Sequence, residues 1–148
     1  MKRILFLVLA GMTVLSGLSQ ASGSVLSSAA SDKWEENAKT ALEELRLAYV
    51  QEDSSRFFGG LSDRSVINTL DFKAQVTRHW TDFSQTDLVI TVDHALKSDT
   101  KAVLKTHWQK RAVRDATGQS EKSEGHAQFV FELMLSMRLV NVQGDSPF

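Results

Sequence analysis

The hydrophobic period of the chain changes once, and this change limits the possible folds more than any other feature. From Asp32 to Phe83, apolar residues recur every three or four positions, which is the spacing of amphipathic helices. From Asp87 onward, apolar and polar residues alternate, as they do in half-buried strands. The single proline, Pro147, follows all of these segments and interrupts none of them. This order predicts an α+β domain in which N-terminal helices pack on one curved antiparallel sheet.

Three helices are predicted before the sheet. The first begins at Asp32, which forms a capping-box-like pair with Glu35. The second covers residues 54–58 and ends at two glycines. The third begins near Asn68 or Thr69. The apolar stripes that should face the core contain Trp34, Ala38, Leu42, Leu45 and Tyr49 in the first helix, and Phe72, Val76, Trp80 and Phe83 in the third.

Four strands are predicted at 87–96, 101–114, 123–135 and 137–142. Successive strand residues point to opposite sides of a sheet, so parity assigns each side chain to a face. A turn centred on Ala116-Thr117 or Thr117-Gly118 pairs even positions with odd ones and keeps each set together. The mostly apolar inner set contains Leu88, Ile90, Val92, His94, Leu104, Thr106, Trp108, Phe129 and Phe131. The mostly polar outer set contains Asp93, Lys105, His107, Arg111, His126 and Glu132.

The first 21 residues have the three parts of a secretory signal. Lys2 and Arg3 supply the positive charge, residues 4–15 form an apolar core, and Ser19-Gln20-Ala21 fits a small-x-small cleavage site. A bilayer crossing needs about 20 apolar residues, so this shorter core favours cleavage over a retained membrane anchor. We therefore expect a periplasmic or secreted protein without a stable membrane anchor. Its organisation would be a signal peptide at 1–21, a flexible linker at 22–31 and a single domain at 32–148.

The composition excludes several classes of function. The chain has no cysteine, which excludes disulfides, thiol catalysis, thiolate metal sites and a lipid anchor at the cleavage site. Its net charge of −1 gives no support for a nucleic-acid partner. No glycine-rich phosphate loop is present, and no two histidines have the close spacing of a ligand pair. We therefore predict neither a cofactor nor a metal.

These elements together resemble the NTF2-like superfamily, which includes ketosteroid isomerases and SnoaL-type cyclases. The matching features are the long first helix that ends in Ala48-Tyr49, the short helix after Asp53, and the third helix that leads directly into residues 87–93. The strand around Lys105 to Lys110 and the ending from Arg138 to Phe148 match as well. Met137 replaces the usual aromatic before Arg-Leu. The resemblance implies a cone-shaped fold that binds a small apolar molecule or pairs through its outer sheet face.

An isomerase of this type needs a carboxylate base in an apolar pocket and a second group that stabilises an oxyanion. The strand parity directs Asp93 and Glu132 outward, so no strand carboxylate is expected inside. Tyr49 is the only tyrosine and lies on a core-facing stripe, where its hydroxyl needs a single partner. His94 is the one titratable strand residue assigned to the inner face. A structural role is favoured for both side chains over a catalytic one.

The predicted site is therefore a ligand pocket without catalytic residues. Its residues are Tyr49, Trp80, His94, Thr106 and Trp108, which combine aromatic surface with a few polar groups. The favoured function is an exported, non-catalytic domain that binds a small apolar ligand or a protein partner. Two alternatives stay open: an acid–base enzyme of the isomerase or cyclase type, and a structural component of an envelope assembly. A homodimer through the outer sheet face is also expected from the resemblance.

Export predicts that the mature protein begins near residue 22. Expression with the native N-terminus in a secreting bacterial host, followed by N-terminal sequencing of the exported fraction, should recover chains cut after Ala21. Replacing Lys2 and Arg3 with Glu should trap the precursor, because the positive region is needed for export. Recovery of an intact Met1 end from a membrane fraction would refute the prediction.

Overall fold

The computed structural model describes residues 22–133 and 136–148. The predicted signal at 1–21 lies outside the described residues. The elements in chain order are α1 (Ser22–Val50), α2 (Ser54–Gly59), α3 (Leu70–Asp82), β1 (Phe83–Lys97), β2 (Lys101–Arg114), β3 (Gln119–Glu132) and β4 (Arg138–Gly144). The α+β architecture predicted from the sequence is confirmed. Within the described ranges, no helix has the combined length and hydropathy that a membrane span requires.

The helices agree with the sequence in number and differ in their limits. α1 begins at Ser22, so it includes residues 22–31, which the sequence analysis assigned to a flexible linker. The other two helices begin close to the predicted positions, and a side chain caps the N-terminus of each. The Asp53 carboxylate accepts from the Arg56 N–H at 3.0 Å, and the Thr69 hydroxyl oxygen accepts from the Phe72 N–H at 3.2 Å. Phe83, which was assigned to the apolar stripe of the third helix, is instead the first residue of β1.

The sheet has four antiparallel strands in the order β1-β2-β3-β4. Arg114 pairs with Gln119 around the hairpin turn, and Trp108 pairs with Gly125. Even positions of β2 therefore face the same side as odd positions of β3, as predicted. The inner side packs on the helices, and its buried residues include Leu88, Leu104, Phe129, Phe131 and Leu139.

A β-bulge in β1 overturns one assignment. Val92 pairs with Thr106, but His94 pairs with Lys105, so one residue between them has no partner in the ladder. The extra residue reverses the parity of the strand from that point on. His94 therefore lies on the outer face beside Lys105 and is exposed. The prediction that His94 points into the cone is wrong, because parity was counted through a strand assumed to be regular.

Gly125 makes room for the Trp108 indole. A Cβ atom at Gly125 would lie 2.8 Å from Trp108 Cζ2 and 2.7 Å from Asp145 Cβ, both closer than ordinary contact. Because Gly125 has no side chain, both the Trp108 indole and residue 145 can approach the β3 backbone at this position.

Gly125→Ala should lower the free energy of unfolding by about 1–3 kcal/mol, the usual range for overpacking a filled interior. Gly59→Ala is the matched control, because a Cβ at that helical position meets nothing within 4 Å. The control should be neutral or gain up to about 1 kcal/mol from helix propensity. Urea unfolding measures both variants. Equal stability of Gly125→Ala and the wild type would contradict the described packing.

Candidate functional site

The structure brings four of the five predicted site residues to the inner side of the sheet. Tyr49 is fully buried at the end of α1, and Trp80 on α3 donates its indole N–H to the Tyr49 carbonyl at 3.0 Å. Thr106 is buried and donates its hydroxyl to the Ala127 carbonyl at 3.1 Å. Trp108 is buried and donates its indole N–H to the Asp145 carbonyl at 2.8 Å. His94 does not join them.

His94 instead lines an open cleft of about 570 Å³ on the outer face. Asp93, Lys105 and His126 lie in the same cleft. His107 pairs with His126 across β2 and β3, and its Nδ1 lies 2.7 Å from Asp93 Oδ1. Within the described ranges, no group of three or more His, Asp or Glu side chains is placed to hold a metal ion.

Pro147 and Phe148, at the end of the segment 145–148, fill the inside of the cone, and neither was predicted as a site residue. Pro147 and Phe148 are buried, and the Phe148 ring packs against Tyr49, Phe57 and Phe129 at centroid distances of 5.1, 5.0 and 5.9 Å. These two residues therefore complete the aromatic core between α1, α2 and β3.

Lys110 is the inward-facing cation of this region. It pairs with the buried Leu88, and its Nζ donates to the Pro147 carbonyl at 2.7 Å. The Tyr49 hydroxyl lies 3.5 Å from the same nitrogen. Burial lowers the pKa of the Lys110 ammonium and raises the pKa of the Tyr49 phenol. Residue 110 was not assigned to a face from the sequence, but its even position on the strand is the signal that could have found it.

His79 lies between two rings near the end of α3. Its imidazole stacks on Phe83 at a centroid distance of 4.7 Å and on Tyr49 at 5.7 Å. Its Nε2 atom is buried without a hydrogen-bond partner. Burial, with a smaller contribution from the Lys110 charge, lowers the pKa of His79 to about 4. The imidazole is therefore neutral at pH 7.

Tyr49, His79, Phe83 and Lys110 form what we call the mouth cluster. A cleft of about 180 Å³ opens beside it, lined by His79, Phe83, Lys110, Ala112, Glu121, Lys122 and Ser123. The cluster thus offers an aromatic wall, an ammonium group and a neutral imidazole. Of the carboxylates whose side chains the structure describes, none is buried. The arrangement can hold an apolar body and a negative or carbonyl oxygen.

Comparisons with solved structures agree with this architecture, and the chain has an NTF2-like fold. A conserved protein from Planctomyces limnophilus matches 77% of this chain and 99% of its own at 16% identity, with a TM-score of 0.68. An NTF2-like superfamily protein from Salmonella enterica matches 81% and 94% at 16% identity and a TM-score of 0.57. A ketosteroid isomerase-like protein from Erwinia carotovora matches 76% and 96% at 12% identity and a TM-score of 0.62.

No protein-family model matches the sequence, and no curated protein does. At these low identities, the likeness to solved structures establishes the fold alone. The function must therefore be argued from the mouth cluster and the segment beside it.

The His79 imidazole should titrate near pH 4, well below the 6.5 of an unperturbed histidine. NMR titration of its ring protons measures this directly. In Lys110→Met the midpoint should rise, because the nearby positive charge is removed. The pKa of His79 is lower in the folded chain than in the unfolded one, so the unfolded chain binds this proton more tightly. The free energy of unfolding is therefore unaffected by this group above pH 6.5 and decreases as the pH falls toward 4. A midpoint at pH 6 or higher would show that the ring is solvated.

Proposed function

We propose that this is an exported, non-catalytic domain that binds a small ligand at the mouth cluster. The apolar part of the ligand lies against the Tyr49 and Phe83 rings. Lys110 and His79 orient one negative or carbonyl oxygen. Export rests on the sequence of residues 1–21, where a short apolar core precedes a small-x-small site. In this proposal the protein works in the periplasm or outside the cell.

One observation carries the proposal: three polar groups converge on an aromatic wall next to a cleft. Lys110 and His79 line the cleft, the Tyr49 hydroxyl lies 3.5 Å from Lys110 Nζ behind it, and the buried Nε2 of His79 has no partner. An apolar pocket with a few convergent polar groups is the usual form of a small-molecule site. A buried nitrogen without a partner has a free-energy cost that a ligand oxygen would remove.

Binding is favoured over acid–base catalysis for two reasons. An isomerase-like reaction needs a base whose pKa lies near the working pH. Within the described residues no carboxylate is buried, and His79 has a pKa of about 4. A histidine with so low a pKa binds protons weakly and is a poor base at neutral pH. The ketosteroid isomerase-like protein from Erwinia carotovora supports an enzymatic alternative by fold only.

Pairing of two chains through the outer sheet face is a second, separate proposal. Val89 is 54% exposed on that face, and Lys105, Gln109 and Arg111 are exposed there too. Permanent dimers have interfaces as apolar as a domain core, so pairing through this polar face would be weak and reversible. Light scattering on the purified protein across a concentration series would separate a monomer from a dimer.

Benzoate is a suitable first probe, because it combines one ring with one carboxylate and fits a cleft of about 180 Å³. Titration calorimetry at pH 7 should detect its binding to the wild type. Lys110→Met should weaken binding by about tenfold or more, the cost of losing a charge-assisted hydrogen bond.

Lys105→Met is the matched control, since Lys105 lies on the same strand but faces outward. It should leave benzoate affinity unchanged. Equal losses in the two variants would indicate a general charge effect. No binding to the wild type would overturn the proposed function.

A further inference from the structure

We infer that the segment 145–148 occupies the position of the ligand, and that the ligand is an aromatic carboxylate or acyl compound. In this class of ligand, three atoms separate the acyl carbon from the ring. The inference rests on the proposed function: it keeps Lys110 as the group that binds the ligand oxygen, places the ligand ring deeper, at the position of Phe148, and names the chemical class of the ligand. Three structural features support it: the environment of the Phe148 ring, the partners of two backbone carbonyls, and the turn that leads into the segment.

The Phe148 ring lies in an aromatic environment that does not depend on the rest of the segment. Tyr49, Phe57 and Phe129 surround it, and they come from α1, α2 and β3. Their contacts are tilted or edge-on, the arrangements that aromatic pairs prefer. Any ligand ring in this position would meet the same three partners.

Two inward side chains bind the backbone oxygens of the segment. Lys110 Nζ donates to the Pro147 carbonyl, and Trp108 Nε1 donates to the Asp145 carbonyl. The Pro147 carbonyl brings no negative charge to the half-buried ammonium. A carboxylate would add the attraction of a negative charge to the hydrogen bond. No carboxylate in the described ranges lies within salt-bridge distance of Lys110. A ligand carboxylate would therefore bind Lys110 better than the Pro147 carbonyl does.

The number of atoms between the Pro147 carbonyl carbon and the Phe148 ring sets the length of the ligand that could replace them. The Pro147 carbonyl carbon is separated from the Phe148 ring by three atoms: the amide nitrogen, Cα and Cβ. In 4-phenylbutanoate three methylene groups separate the carboxyl carbon from the ring. This compound can place its carboxylate at Lys110 and its ring among the three aromatic side chains, as Pro147 and Phe148 do.

The segment enters the cone through a turn at Gly144. Gly144 has a φ of +89°, a conformation that favours glycine, and it directs the chain from β4 toward the interior. Asp145 and Ser146 are exposed, so only Pro147 and Phe148 are inserted. Withdrawal of the whole segment removes one ring from the core and breaks the two carbonyl hydrogen bonds, together with the bond from the Asp145 N–H to the His126 carbonyl at 2.9 Å.

The experiment compares two probes on the wild-type chain, 4-phenylbutanoate and 4-phenylbutan-1-ol, which have the same ring and spacer. The carboxylate should bind about tenfold more tightly or better, because only it offers a charged acceptor to Lys110. In Lys110→Met the two affinities should become equal. Lys105→Met, on the outer face, should keep the difference.

Hydrogen exchange of two indole N–H groups shows where the probe binds. The Trp108 N–H bonds to the Asp145 carbonyl and should exchange faster when the probe displaces the segment. The Trp80 N–H bonds to the Tyr49 carbonyl and should keep its protection. Slow exchange of Trp108 with the carboxylate bound would overturn the inference, and so would equal affinity of the two probes.

Benzoate separates this inference from the proposed function, because it is too short to replace both Pro147 and Phe148. Lys110-dependent binding of benzoate, without displacement by 4-phenylbutanoate, would leave the proposed function in place and overturn the ligand class. Failure of both compounds to bind would overturn the two proposals together.

Discussion

The rest of this structure depends on the packing of the Tyr49 ring. It lies at the end of α1 and packs against Phe57 of α2, His79 and Trp80 of α3, and Phe148. One side chain therefore connects every helix to the filling of the cone. Because its pKa is raised by burial, the phenol stays neutral and acts only through its hydroxyl and its ring. The mouth cluster is built on this packing.

The sheet contributes the polar part of the site through its register. The pairing of Leu88 with Lys110 sets a cation on the inner face beside buried apolar residues. The bulge after Val92 then turns His94 to the outer face. The bulge thus separates two groups of polar side chains, one inside the cone and one on the open surface.

The sequence predicted what depends on local patterns. The change of period gave the helix and strand order, and parity with the turn gave the β2–β3 register. The bulge at residue 93 has no signal in a single sequence, so His94 was misplaced. The insertion of Phe148 is a long-range contact, and no local pattern predicts it. Lys110 could have been assigned to the inner face from its parity, which it shares with Thr106 and Trp108.

The central claim is that the segment 145–148 and an external ligand exchange at one site. A crystal structure of the full chain with 4-phenylbutanoate tests it most directly. The expected result is a carboxylate bound to Lys110 Nζ, the ligand ring among Tyr49, Phe57 and Phe129, and Phe148 displaced from the core. A structure with Phe148 in its present place and the ligand elsewhere, or absent, would contradict it.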